Sequence, residues 1–214
     1  MTQRPRAYVT YALAALNVLL FLLTEISGPT EVDSEVLIRW GALYTPAVKS
    51  GEYWRFITAM FLHSGIRHLV NNMIALLAAG TLLEEELGRV RFGILYLLGG
   101  LAGNALEYAL AESKGRTIMA VGASGAVFAL LGALLWCIIL HHGHFRGMSL
   151  RRLLIYLVIS AYFGLTASGV ANGAHFGGLA FGFLFCILIY RKKDGMEPFP
   201  YRTDGPADER SFYG

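Results

Sequence analysis

Apolar residues run along this chain in long unbroken blocks, not in strand-like alternation or narrow amphipathic stripes. Ala7–Thr24 is 18 residues without Asp, Glu, Lys or Arg, Thr117–Leu140 is 24, and Leu153–Tyr190 is 38, broken only by His175. A membrane-spanning helix needs roughly 20 mostly apolar residues, so the last block is too long for one span and about right for two. Its natural break is Ser168-Gly169-Val170-Ala171-Asn172-Gly173, small and turn-prone. Two weaker blocks, Leu69–Leu83 and Phe92–Leu106, hold 15 uncharged residues each. At about 1.5 Å per residue each reaches about 22 Å, short of a hydrocarbon core of roughly 30 Å. They must extend into flanking polar residues or lie where the protein thins or shields the bilayer. The pattern predicts an all-α membrane protein, a bundle of six transmembrane helices.

Composition narrows the class further. The 214 residues are 55% hydrophobic and 15% charged, with 13% aromatic residues, and the mean hydropathy is +0.51. A water-soluble domain is usually about 25% charged, and a disordered chain is poor in aromatics, so both are excluded. Two cysteines cannot staple a secreted scaffold, and a net charge of +3 with no long basic run gives no nucleic-acid signature. Ala7–Thr24 exceeds the usual 7–15 residues of a signal-peptide core and no A-x-A site follows it, so it reads as a retained first span.

The loops set an orientation. With the N-terminus inside, ten Lys and Arg residues near the spans fall on the inner side and six on the outer, although the outer side holds the longest loop. This bias predicts both termini in the cytoplasm. The chain divides into a cytoplasmic N-terminus (1–6), a six-span domain (7–190) and a flexible cytoplasmic tail (191–214). The outer loop, about 25–66, is too long to be a simple connector, and Val36–Trp40 and Phe56–Leu62 within it predict short helices at the outer membrane surface. No inverted repeat of the common transporter kind is visible.

Polar groups at membrane depth are costly unless paired, so those inside the blocks are candidates for function. Ser124, in Gly122-Ala123-Ser124-Gly125, and His175, in Ala174-His175-Phe176-Gly177-Gly178, fall at similar outer depths on two inward-running spans. Serine becomes a nucleophile when a base takes its proton, and histidine suits that role at neutral pH. Small residues with a serine also suit plain helix packing, and a lone histidine at a helix start is often interfacial, so packing and a Ser–His dyad both remain open. No acid lies in either span, which favours a dyad over a triad. His68 and Asn72, spaced i, i+4, share a face at the mouth of the second span. They are either helix-capping groups or the donors an oxyanion hole requires. His63 lies on a different face and reads as structural or interfacial. Gly99/Gly103, Gly173/Gly177 and Gly178/Gly182 have the spacing of close helix contacts, the last pair placed to press the sixth span on the fourth. His141-His142-Gly143-His144 looks like a metal tract but has no nearby carboxylate. Cys137 and Cys186 read as packing thiols.

These motifs together resemble the rhomboid family of intramembrane serine proteases. Trp54-Arg55 resembles the family's Trp-Arg, His68-x-x-x-Asn72 its second-helix motif, and Glu84-Glu85-Glu86-Leu87-Gly88 its Glu-x-x-x-Gly. Gly122-Ala123-Ser124-Gly125 resembles the nucleophile motif, and Ala174-His175-Phe176-Gly177-Gly178 with Gly182 the base helix. The set spans residues 54 to 182 in the family's order, in a chain similar to its minimal six-helix prokaryotic form. The resemblance implies Ser124 as nucleophile and His175 as general base. It implies an oxyanion hole made of the Ser124 backbone N–H with the side chains of His68 and Asn72, and a close backbone approach at Gly122. Phe128 stands where many members carry a tyrosine stacked on the histidine, so the ring remains and its hydroxyl is lost. The expected partners are single-span membrane protein substrates and the lipid bilayer, with no metal, cofactor or nucleic acid. The expected place is the plasma (inner) membrane, with the site opening to the external or periplasmic side. An inactive rhomboid-like protein that binds membrane clients, or a small transporter, are the alternatives. The presence of both Ser124 and His175 argues against the first, and the charge-free blocks against the second.

Overall fold

The computed structural model describes residues 6–26, 33–166 and 169–191. Most of the expected N-terminal segment, the connector around Pro29, Ser168 and nearly all of the 191–214 tail lie outside these residues. Six long helices carry the fold: α1 (Tyr8–Ile26), α5 (Ile66–Leu87), α6 (Arg89–Ser113), α7 (Ser124–Leu140), α8 (Leu150–Thr166) and α9 (Asn172–Ile189). By length and apolarity α1, α5, α6 and α9 can each cross a membrane, while α7 is a shorter apolar helix of 17 residues. The two weak blocks extend into their polar flanks, giving α5 22 residues and α6 25. The described part of the long loop forms short helices. Val36–Trp40 falls in α2 (Ser34–Trp40), and Phe56–Leu62 in α4 (Arg55–Thr58) and a 3₁₀ turn (Ala59–Phe61), with α3 (Thr45–Lys49) between them.

The bundle is ordered around α7, most of whose side chains are buried, with α5, α6 and α9 packed against it. By contrast α8 buries only Leu153 and Gly164, and exposes Val158, Tyr162, Phe163 and Leu165. α1 is turned inside out relative to a helix in water. Thr10, Asn17 and Thr24 face inward at seven-residue spacing, while Leu19 and Leu22 face outward. That distribution is expected where the surrounding solvent is hydrocarbon and polar groups seek the protein interior.

The N-terminus of α1 is held by Glu84. Its carboxylate accepts the Val9 N–H at 2.9 Å, the Thr10 N–H at 2.7 Å and the Thr10 hydroxyl at 2.8 Å. Orphan N–H groups at a helix start and the helix dipole both favour an anion there. Gly88 follows with φ +80° and turns the chain into α6. At the same end of the bundle, a two-residue hairpin pair, β3 (His144–Phe145) with β4 (Met148–Ser149), joins α7 to α8. Arg146 at its tip reaches Glu85 at 2.9 Å and Glu86 at 3.6 Å. His141 bonds the Tyr190 hydroxyl at 2.9 Å, and no cluster of three or more His, Cys, Asp or Glu fit for a metal occurs among the described residues. Cys137 and Cys186 are free thiols, their sulfurs 3.7 Å apart.

The fourth helix is shorter than its apolar block. The fourth apolar block begins at Thr117, but its helix begins only at Ser124. Met119–Ala120 is instead a strand, β2, paired antiparallel with β1 (Leu43–Tyr44). Gly122, at φ +126°, then bends the chain into the helix and donates its N–H to the Ala59 carbonyl at 2.9 Å. Hydrophobicity alone does not separate a buried strand from the first turns of a buried helix. Ser124 is thus the first residue of α7, at the start of the fourth span as its motif suggests.

Candidate functional site

Close packing of α7 against α9 builds the site. A Cβ on Gly178 would strike the Gly125 carbonyl oxygen, and one on Gly182 the Ala129 carbonyl oxygen. The two backbones therefore approach more closely than any side chain allows. Gly103 of α6 likewise lies against the Ala174 carbonyl, 2.5 Å from the position a Cβ would take. Gly99 abuts Ala129, while Gly173 and Gly177 face α6 at Glu107 and Ala102.

This packing brings Ser124 and His175 together from 51 residues apart: His175 Nε2 and Ser124 Oγ are 2.9 Å apart. Phe128, one turn beyond Ser124, stacks flat on the imidazole with centroids 4.3 Å apart and planes at 5°. The ring orientation of His175 is thus fixed by an aromatic face where no carboxylate among the described residues bonds it.

The second half of the constellation comes from the start of α5. A Cβ on Gly122 would fall 2.6 Å from His68 Nε2 and 3.7 Å from Asn72 Nδ2. Both side chains therefore face the turn that delivers Ser124, and glycine is required by space as well as by its positive φ. Asn72 is buried and its Nδ2 has no hydrogen-bond partner among the described residues. A buried donor kept unpaired is costly in a finished fold and is useful where charge will later develop. His68 Nδ1 lies 3.2 Å from the Ser64 hydroxyl. When that hydroxyl donates to Nδ1, the ring proton sits on Nε2, the nitrogen facing Gly122.

The remaining predicted residues lie elsewhere. Arg55 is buried, donating to the Ile38 and Ala42 carbonyls at 2.7 and 2.9 Å and pairing with Glu52 at 2.7 Å. Trp54 covers its guanidinium at 4.7 Å. The pair fastens the short helices of the long loop to one another. Glu84 sits at the far end of α5 from His68, 16 residues away, and serves α1.

Three residues were not legible as site residues. Ser64 precedes His68 by four, the same spacing that marked His68 and Asn72. His63 is fully buried with its ring 5.1 Å from that of His68. Glu107 accepts the Gly173 N–H at 2.7 Å, capping α9 two residues before His175 where Ala171 offers no side-chain cap. It lies one residue past the uncharged block that ends at Leu106, in the polar flank into which α6 extends. Beside it opens a pocket of about 520 Å³ between the end of α6, β2 and the start of α9.

Residues 50–192 match the family model described as the Rhomboid domain. The chain is 33% identical over 193 residues to "Rhomboid protease GluP" of Bacillus subtilis (strain 168), covering 90% of this chain and 37% of that protein. It is 40% identical over 162 residues to "RHOMBOID-like protein 5" of Arabidopsis thaliana, covering 74% of this chain and 52% of that protein. It is 36% identical over 190 residues to "RHOMBOID-like protein 6, mitochondrial" of the same plant, covering 87% and 59% respectively. The chain therefore spans between about a third and three fifths of the length of these relatives. The domain match covers most of the chain and contains the Ser124–His175 pair with the residues around it, and this multi-pass helical membrane protein belongs to the rhomboid family.

Proposed function

We propose that this protein is an intramembrane serine endopeptidase acting through a Ser124–His175 dyad. The observation that carries the reading is the 2.9 Å contact between Ser124 Oγ and His175 Nε2, made across two helices held together by glycines. In the first step Oγ attacks the scissile carbonyl carbon while Nε2 takes the hydroxyl proton. The negative charge passing to the carbonyl oxygen is met by the Ser124 N–H, His68 and Asn72. Collapse expels the amine, which receives the proton from His175, and leaves an acyl-serine. A water molecule, deprotonated in turn by His175, hydrolyses that ester and restores the hydroxyl. No cofactor or metal takes part.

The same reading has all six long helices crossing the plasma (inner) membrane, with both termini inside and the dyad near the outer surface. Its substrates are single-span membrane proteins, cut near the external end of their helix. A helix hides its carbonyls in i, i+4 bonds, so the substrate must unwind locally, which small residues at the cut and Gly or Pro in the upper span make easier. Among the described residues β2 pairs only with β1, and its other edge can bond an unwound segment.

The test is labelling by a fluorophosphonate in detergent together with cleavage of a model single-span substrate. Label at Ser124, lost with cleavage in Ser124→Ala and His175→Ala, is expected. A methyl in place of the Ser124 hydroxyl leaves almost no cavity, so that variant should stay folded. Asn72→Ala and His68→Ala should each lower kcat by about 10²–10³-fold with less effect on KM. Undiminished turnover by purified Ser124→Ala would overturn the assignment.

A further inference from the structure

The pocket at the start of α9, which reaches Gly173 two residues before His175, carries a net positive charge. It is lined by Lys114 and Arg116 together with β2 and the first residues of α9, and its one acid is Glu107. Glu107 is turned to the Gly173 N–H at 2.7 Å. The next acid along α6, Glu112, is paired with Lys49 at 3.0 Å. Lys114 and Arg116 are exposed and have no acidic partner among the described residues. The chain from Arg116 runs through β2 to Gly122 in six residues, so the two cations stand at the far end of the free strand edge that ends at the nucleophile.

We propose that Lys114 and Arg116 form a recognition site for an acidic side chain in the extramembrane flank of the substrate, within about six residues of the cut bond. The proposal rests on the hydrolase reading above and adds a selectivity to it. A segment lying along β2 advances about 3.3 Å per residue, and in doing so carries its flank past Met119 and over the pocket. An Asp or Glu there meets two cations and one carboxylate, that of Glu107, which is engaged with the Gly173 N–H. A Lys or Arg meets like charge and is disfavoured. Exposed ion pairs are worth little singly, so the selectivity is modest and falls with salt. It acts on capture, in KM, because the contact is the same before and during the chemical step.

The experiment uses one single-span substrate with three external flanks, Asp-Glu, Ser-Ser and Lys-Lys, and the full chain bearing Lys114 and Arg116 or Lys114→Glu with Arg116→Glu. Binding is measured on both forms in the Ser124→Ala background, and cleavage on both forms with Ser124 intact. The acidic flank should bind, and be cleaved with a lower KM, about threefold to tenfold better than the neutral one at low salt. The order should invert in the charge-reversed form and flatten at 0.5 M salt. An unchanged order in the reversed form overturns the proposal. If the cations instead hold anionic lipid, phosphatidylglycerol in the liposomes will shift all three substrates equally with no flank preference, which also overturns it. Flank-dependent binding without any cleavage would uphold the recognition site and reject the hydrolase reading.

Discussion

Acid should weaken this fold through His63. The side chain lies between the 3₁₀ turn and α5, fully buried, and neither ring nitrogen makes a hydrogen bond of good geometry among the described residues. Burial pushes its pKa from 6.5 down to about 3, with the neighbouring His68 adding to the drop and the Phe61 backbone opposing it. The imidazole is therefore neutral in the folded protein, whereas the unfolded chain takes up a proton as pH falls through about 6.5. Between those values the unfolded state binds more protons, so stability is complete above pH 6.5 and is lost as pH falls towards about 3. The steepest slope is about 1.36 kcal/mol per pH unit, so the ceiling between pH 6.5 and 4 is about 3.4 kcal/mol. Local opening that lets water reach the ring reduces this, and a loss of about 2 kcal/mol is expected. Equilibrium unfolding of the detergent-solubilised protein at several pH values between 7.5 and 4 measures it. His63→Gln and His63→Phe, one polar and one apolar, should both remove that portion of the pH dependence. If the curves of both variants run parallel to that of the unsubstituted protein, His63 is not excluded from water and the reasoning fails.

Three further outcomes follow from the packing and caps. Gly182→Ala places a methyl on the Ala129 carbonyl; it should cost about 1–3 kcal/mol of stability and lower kcat at least tenfold by parting α7 from α9, as read by kinetics on folded protein. Glu84→Ala strips the acceptor from three donors of α1 and should cost about 1–3 kcal/mol in unfolding, with fluorophosphonate labelling per folded molecule unchanged. Glu107→Ala releases the Gly173 N–H and should lower kcat more than it raises KM, while Glu107→Gln, which still offers an oxygen, should recover most of the loss.

The helices were legible because lipid-facing segments must be apolar along their whole length, and that requirement writes itself into the sequence as blocks. Their polar interior was legible for a related reason: at membrane depth a serine, histidine or asparagine is expensive, so Ser124, His175, His68 and Asn72 stood out individually. What joined them was less visible. The Gly178/Gly182 spacing pointed to α7 because small residues are the general means of close helix approach, yet the specific contacts with the Gly125 and Ala129 carbonyls depend on rotation and depth that no spacing encodes. The strand before α7 was not legible because Met119 and Ala120 are as hydrophobic in a strand as in a helix. Their strand state is decided by Leu43 and Tyr44, more than 70 residues earlier. Glu107 and Ser64 escaped for the opposite reason. Each is a polar residue at the edge of an apolar block, where polarity is ordinary, so nothing in composition marks the one that faces inward. A sequence in a membrane announces the polar groups that the bilayer penalises, and it stays silent about those at the rim, where water and protein compete for them on nearly equal terms. Glu107, which caps the helix of His175, and Ser64, which bonds His68, sit at that rim, whereas Phe128, stacked on His175 from within an apolar block, was legible.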